Sequence, residues 1–180
     1  MLAKRLKDKG YKFVLDMYGS GVELEHTRNL ASELEVLDVV HFLGNLPNDE
    51  ILKQMRQHEV FLFTSDKNEG WGAVLNEAMS NGCAVVASNM IGSVPFLLED
   101  GVNGLVFKSE DLDSLETKVA SLLDNAEYCR TIAGNAIHTM RATWSPANAA
   151  RQFLKLLIAI QTGDNSLIPM QGPCSKAKPI

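Results

Sequence analysis

Residues 60–88 read VFLFTSDKNEGWGAVLNEAMSNGCAVVAS. The stretch opens on an apolar run, Val60–Thr64, and closes on another, Cys83–Ser88. Neither run alternates polar with apolar, as expected of strands covered on both faces. Between them Val74, Leu75, Ala78 and Met79 recur at helical spacing across Gly72–Asn81. Strand, helix and strand in succession make a β-α-β unit, two parallel strands joined by a crossover helix.

The same alternation extends in both directions. Further strand-like runs lie at Lys12–Tyr18, Val39–Leu43 and Gly104–Phe107, and helical spacing covers Val22–Leu34, Asp49–Gln57, Leu112–Leu123, Ala126–Thr143 and Pro146–Gln161. The pattern predicts an α/β domain over residues 1–161, a Rossmann-like parallel sheet with helices on both faces and right-handed crossovers. Ser145 is placed to cap the last helix, with Pro146 at its first position. Residues 162–180 hold three prolines and little periodicity. They read as a tail, poorly ordered unless docked. The chain opens on a helix-like segment, Leu2–Lys9, that runs straight into the first strand. Doubly wound domains start with a strand, so this segment reads as the end of a crossover helix whose preceding strand is missing.

Composition narrows the function. The 180 residues are 46% hydrophobic and 22% charged, with a formal net charge of −5. Without a basic run, a nucleic-acid partner is not expected. Local cations and backbone N–H groups can still hold a small anion against an acidic background. Cys83, Cys129 and Cys174 are odd in number and widely spaced, which supports neither a disulfide framework nor a zinc site and suits a reducing cytoplasm. The N-terminus lacks a signal-peptide pattern. The apolar run Phe153–Ile160 is too short to span a bilayer.

Two glycine turns could carry chemistry. Gly19-Ser20-Gly21 ends a strand and precedes a helix, where a tight turn brings N–H groups and a positive dipole end towards a phosphate. A plain strand–helix turn has the same signature. The stronger motif is Glu69-Gly70-Trp71-Gly72-Ala73-Val74-Leu75-Asn76-Glu77, in which two carboxylates bracket a Gly-x-Gly turn and the first turns of a helix. Glu77 lies about 8 Å along that helix from the turn. A ligand at the helix start could therefore meet a carboxylate at each end, and carboxylates accept hydrogen bonds from hydroxyls, as a sugar or ribose would offer. On spacing alone, Glu69 could equally be favouring the helix dipole and Glu77 facing solvent. Asn89–Pro95 reads as a loop at the carboxyl edge of the sheet, and Glu99–Gly104 as a tight turn with two glycines. Asp111-Leu112-Asp113 matches a metal-binding DxD pattern but opens a helix, where aspartate is an ordinary cap. No metal is expected. His26, His41, His58 and His138 are scattered. Lys67 is a local cation beside the second turn.

The order of these motifs resembles one family. Gly19-Ser20-Gly21, Phe42-Leu43-Gly44, the Glu69…Glu77 pair, Glu77-Ala78-Met79-Ser80-Asn81-Gly82, Val85-Val86-Ala87-Ser88 and Asn103-Gly104-Leu105-Val106-Phe107 together look like the C-terminal, donor-binding domain of family 4 (group 1) glycosyltransferases of GT-B fold. The likeness covers roughly Phe13 to Ile160 and implies one half of a two-domain enzyme with its active site in the cleft. It implies a retaining transfer of sugar from a nucleotide-sugar donor, held as substrate with no cofactor, in polysaccharide or glycolipid synthesis. Glu77 would bind the ribose hydroxyls and Glu69 would lie near the transferred sugar, in the catalytic position. Gly70, Trp71 and Gly72 would offer N–H groups to sugar and diphosphate, Gly19 and Gly21 would lie by the diphosphate, and the loop Gly44-Asn45-Leu46 would pass the nucleobase. The likeness also implies a cytoplasmic protein and a missing N-terminal acceptor domain, in cis or in trans, through which it could associate peripherally with the inner face of a membrane. Three departures stand out. Ile91-Gly92-Ser93-Val94-Pro95 lacks the family's acidic residue, Trp71 replaces a usual phenylalanine, and the family's diphosphate-binding arginine and lysine would lie upstream of Met1. Lys9-Gly10 only mimics the latter pair. The alternatives are a sugar-nucleotide epimerase of related fold and a non-catalytic donor-binding subunit that needs a partner chain. An assay with and without acceptor separates the first.

Overall fold

A computed structural model describes residues 1–176; the last four residues of the expected 162–180 tail lie outside the described residues. Helix α1 (Leu2–Asp8) leads into β1 (Leu15–Tyr18), followed by α2 (Leu24–Glu33), β2 (Val40–Gly44), α3 (Asn48–Met55), β3 (Val60–Phe63), α4 (Ala73–Ser80) and β4 (Ala84–Ser88). The short α5 (Val94–Leu97), β5 (Leu105–Phe107) and three helices, α6 (Leu112–Leu123), α7 (Ala126–Ala142) and α8 (Pro146–Thr162), complete the domain before a 3-10 turn at Asn165–Leu167. Every expected strand forms, and every ladder is parallel: Leu15 sits opposite Val40, Val60 opposite Ala84, and Val86 opposite Leu105.

β4 explains why its sequence does not alternate. All five of its residues are buried, because helices cover both faces. Val85 and Ala87 pack with Leu75, Ala78 and Met79 of α4 and Ala136 and Met140 of α7. Ala84 and Val86 pack on the other side with Leu115, Val119 and Leu122 of α6 and with Leu6 of α1. A third cluster, Ala3, Ala31, Val36 and Val40, supports β1 and β2.

The sheet departs from a continuous ladder. Among the described residues β1 pairs only with β2, and β3 pairs with β4, so the strands form a two-stranded sheet and a three-stranded sheet, β3-β4-β5. The crossover through α3 carries the chain from β2 past β1 without laying β3 against it. Side chains tie the two sheets: His58 Nε2 lies 3.0 Å from Asp16 Oδ2, and the Tyr18 hydroxyl donates to Gln54 Oε1 at 3.2 Å.

Several local expectations are met. Asp111 Oδ1 accepts from the Ser114 N–H and Ser145 Oγ from the Asn148 N–H, so both act as caps. Glu99–Gly104 is a turn closed by the Gly101 N–H on Gly104 O, with buried Asn103 Nδ2 donating to Leu97 O. Lys9 and Arg5 both pair with Glu116 of α6, a structural use of these cations.

His58 gives a pH prediction. Burial pulls its pKa down, but Nδ1 on the Gln54 carbonyl and the Asp16 carboxylate outweigh this, so it stays above the usual 6.5. A histidine whose folded pKa is raised contributes stability that is full below the unfolded pKa and fades as pH rises through the folded one. Thermal unfolding should therefore show the midpoint falling as pH climbs above 6.5. In His58→Gln that slope should flatten.

Candidate functional site

In open α/β sheets ligands settle at the carboxyl ends of the strands. Here the turns that leave those ends are fastened to one another. After β3 the chain makes the Glu69–Gly72 turn, and after β4 it makes the Asn89–Ser93 turn. The Gly92 N–H donates to Gly70 O at 3.0 Å and the Ser93 N–H to Trp71 O at 3.1 Å. A methyl group on Gly92 would meet Gly70 O at 2.4 Å, so only glycine permits this approach. The expected loop Asn89–Pro95 is thus a wall of the β3–α4 turn, and its last residues begin α5.

Gly72 starts α4. Its φ of +73° is left-handed, and an added Cβ would meet the Phe63 ring at 2.7 Å, so glycine is required twice over. No side chain caps α4. The Leu75 N–H bonds back to Gly72 O at 2.9 Å, and the N–H groups ahead of it and the positive end of the dipole are left to a ligand or water. At Gly70 an added Cβ would meet nothing within 4 Å, which leaves room for a ligand against the backbone.

The sequence-derived residues occupy linked positions. Glu77 is half-buried on α4, and its Oε1 lies 3.5 Å from Asn48 Nδ2 at the start of α3. Its carboxylate is thereby turned towards the start of α3, which follows the loop Gly44-Asn45-Leu46. Asn45 Nδ2 in turn donates to Ser20 Oγ at 2.7 Å, joining that loop to Gly19-Ser20-Gly21. Gly19 and Gly21 have φ of +139° and +158°, with open space where a side chain would be. Glu69 is half-buried, and Lys67 is exposed with no ion pair among the described residues. Trp71 is 43% exposed. Its Nε1 donates to Asn76 Oδ1 at 2.9 Å, and its ring lies 5.6 Å from Phe96 and 5.9 Å from Trp144.

Two points correct the sequence reading. Helix α2 begins at Leu24 with Glu23 as its N-cap, not at Val22 beside Gly21. Gly21 lies two residues ahead of that cap, so the glycine turn offers a phosphate space and amides more than a helix dipole. Second, two cavities among the described residues lie apart from the carboxylate pair, lined by neither Glu69 nor Glu77. One, of about 740 Å³, runs between β1 and β3 and reaches Gly19, Asn45 and Leu46, and a smaller one of about 190 Å³ sits against Gly19-Ser20-Gly21. Glu69, Gly70, Gly72 and Glu77 line neither; Gly70 is exposed, Glu69 and Glu77 are half-buried and Gly72 is buried. Sequence reasoning missed Asn48, Asn76, Phe96 and Trp144. Asn76 lay inside the motif as a polar neighbour of Glu77, whereas the others are distant in sequence.

Among the described residues no group of three or more His, Cys, Asp or Glu could hold a metal ion, and no helix is long and apolar enough to cross a membrane. Burial pushes the Cys83 thiol up to about 11, and it also raises Cys129. Alkylation of the native chain at neutral pH should accordingly mark Cys174, which is only partly buried, and spare the other two, as peptide mass spectrometry would show.

Comparisons with known proteins bear on the family and the fold. The model of the family described as glycosyl transferases group 1 matches residues 1–139. The chain is 29% identical over 160 residues to a D-inositol 3-phosphate glycosyltransferase of Corynebacterium urealyticum, covering 88% of this chain and 36% of that protein. It is 30% identical over 151 residues to the sulfoquinovosyl transferase SQD2 of Arabidopsis thaliana, covering 81% and 28%. Among solved structures, Anabaena Alr3699/HepE in complex with UDP superposes with a TM-score of 0.73 at 22% identity, over 88% of this chain and 44% of that one. S. aureus TarM gives 0.75 at 18%, over 86% and 30%. The structural likeness shows the fold. The chain spans well under half the length of these curated relatives.

Proposed function

The chain belongs to the group 1 glycosyl transferases, and from that premise we propose that it binds the nucleotide-sugar donor of a retaining sugar transfer. One observation carries the reading. Helix α4 starts at a glycine turn with no side-chain cap, the turn is braced by Gly92, and Glu77 on the same helix meets Asn48 at the start of α3. The donor lies across these elements. Its base follows Gly44-Asn45-Leu46, its ribose hydroxyls donate to Glu77, and its diphosphate rests between Gly19, Gly21 and the first-turn amides of α4. Glu69 and the N–H groups of Gly70, Trp71 and Gly72 take the sugar. As the bond to the diphosphate breaks, charge develops on the leaving group, and amides fixed by the Gly70–Gly92 contact stabilise it without reorganising.

The family assignment gives the epimerase alternative no support. The unit alone is expected to bind donor weakly and to transfer slowly, because the α4 amides and Lys67 are its main positive features near the diphosphate. Calorimetric titration with UDP, GDP and ADP tests the reading, and the UDP held by Anabaena HepE makes UDP the first to try. Saturable binding of one of them is expected. Binding of none, or robust transfer by the unit alone, would overturn it.

A further inference from the structure

Helix α4 has α3 on one flank and α7 on the other, and the two flanks carry different chemistry. On the α3 flank stands the carboxylate of Glu77, beside Asn48. On the α7 flank stands an aromatic cluster. The Trp71 ring lies 5.6 Å from Phe96 of α5, tilted by 35°, and 5.9 Å from Trp144, tilted by 53°. Trp144 follows α7 and packs against the core formed by α4, β4 and α7, so the cluster is seated on the body of the domain.

Trp71 is held firmly and yet left open. Its Nε1 donates to Asn76 Oδ1 at 2.9 Å, its carbonyl accepts from the Ser93 N–H at 3.1 Å, and two rings back it. These contacts fix the angle of a ring that keeps 43% of its surface in water. A ring fixed in advance loses little rotamer freedom when a ligand covers it, and the covering releases water from an apolar surface. Two departures from the family pattern meet here, since Trp71 stands where phenylalanine is usual and its ring partner Phe96 directly follows the segment 91–95. An aromatic face suits one part of a saccharide. The faces of an indole are electron-rich and its edge electron-poor. A pyranose carries hydroxyls round its rim and C–H groups on its flat faces, and those C–H groups bear the partial positive charge that an indole face attracts. The polar groups that the rim requires precede Trp71 in the chain: Glu69, and the backbone of Gly70, where an added Cβ would meet nothing within 4 Å. The run of the donor leads to the same ring. With its ribose at Glu77 on the α3 flank and its diphosphate at the start of α4, the donor continues towards the α7 flank, where Trp71 stands.

We infer that the indole side chain of Trp71 is a stacking platform for a pyranose ring, either the sugar of the donor or the saccharide that receives it. The inference rests on the donor-binding reading and deepens it, giving the ring a task separate from that of the Trp71 backbone amide.

The test compares the 180-residue chain with Trp71→Leu, which keeps apolar bulk and loses the aromatic face, and Trp71→Phe, which keeps a face. The probes are UDP and GDP, the nucleotide-sugars UDP-glucose, UDP-galactose, UDP-N-acetylglucosamine and GDP-mannose, and the methyl glycosides of the same sugars added on top of the nucleotide. Calorimetry gives affinities, and saturation-transfer NMR with irradiation of the tryptophan ring protons shows which ligand protons lie against a ring. The expected result is transfer to the pyranose C–H protons of at least one nucleotide-sugar or glycoside, kept in Trp71→Phe and lost in Trp71→Leu. Affinity for that probe should fall about threefold to tenfold in Trp71→Leu, the scale of one aromatic stacking contact. Affinity for UDP and GDP should not change. Transfer to a nucleotide-sugar puts the donor's sugar on the ring, and transfer to a glycoside alone puts the acceptor there. The inference is overturned if no pyranose receives saturation, if transfer persists in Trp71→Leu, or if it reaches the nucleobase instead. An equal loss of affinity for the bare nucleotide also overturns it, since the ring would then brace the turn without meeting a sugar. Nucleotide binding without pyranose contact removes the platform alone, whereas failure of every nucleotide to bind removes the donor reading and the platform with it.

Discussion

Replacing Gly92 by alanine is expected to weaken nucleotide binding at least tenfold and to lower the thermal midpoint by several degrees. The added methyl would sit 2.4 Å from Gly70 O and 3.2 Å from Gly70 C. Both are backbone atoms and cannot swing aside as a side-chain tip would. Overpacking of this kind costs about 1–3 kcal/mol, and for a chain of this size each kcal/mol moves the midpoint by roughly 2–4 °C. The relief available is to break the Gly92 N–H bond to Gly70 O, which would free the turn ahead of α4. Gly70→Ala separates the two effects. Its methyl would meet nothing within 4 Å, so the fold should hold to within about 0.5 kcal/mol. A ligand lying against that backbone would nevertheless be displaced. Lower affinity at an unchanged midpoint in Gly70→Ala, with both quantities falling in Gly92→Ala, is the expected pattern. If Gly92→Ala keeps wild-type affinity, the brace does not organise the site.

Glu77→Gln is expected to lower affinity for a ribonucleoside diphosphate about tenfold to a hundredfold with the midpoint unchanged. Hydrogen bonds to a charged group are worth about 1.5–3 kcal/mol, which corresponds to roughly that factor. The carboxylate has little structural work, since the contact recorded for it is a 3.5 Å approach to Asn48 Nδ2. The ligand supplies the second arm of the cycle. A nucleotide lacking the ribose 2′- and 3′-hydroxyls should lose the same factor against the wild-type chain and almost nothing further against Glu77→Gln. An unchanged affinity in the variant, or additive losses in the cycle, would remove Glu77 from the ribose.

Much of this architecture was written in the apolar pattern. Val85 and Val86 are both buried because helices lie on both faces of β4, and such strands show as unbroken runs. The pattern misled where an apolar residue is not buried. Val22 fits the helical spacing but is 95% exposed, and α2 starts two residues later. The short helix α5 was hidden because Gly92 and Pro95 read as loop residues. The separation of β1 from β3 was not legible, since pairing depends on which strands become neighbours and local sequence does not encode that. In the site, the order of glycines and carboxylates was visible. The fastening contacts were not, because Asn48 meets Glu77, and Trp144 meets Trp71, across long stretches of chain.

The chain has two tryptophans, and the ring contact of Trp71 with Trp144 sets both beside the turn that opens α4. Intrinsic emission is then a label-free gauge of this one corner of the molecule. A sugar stacking near Trp71 would change its solvent exposure and shift or quench the signal, whereas loosening around β2 would leave the spectrum almost silent.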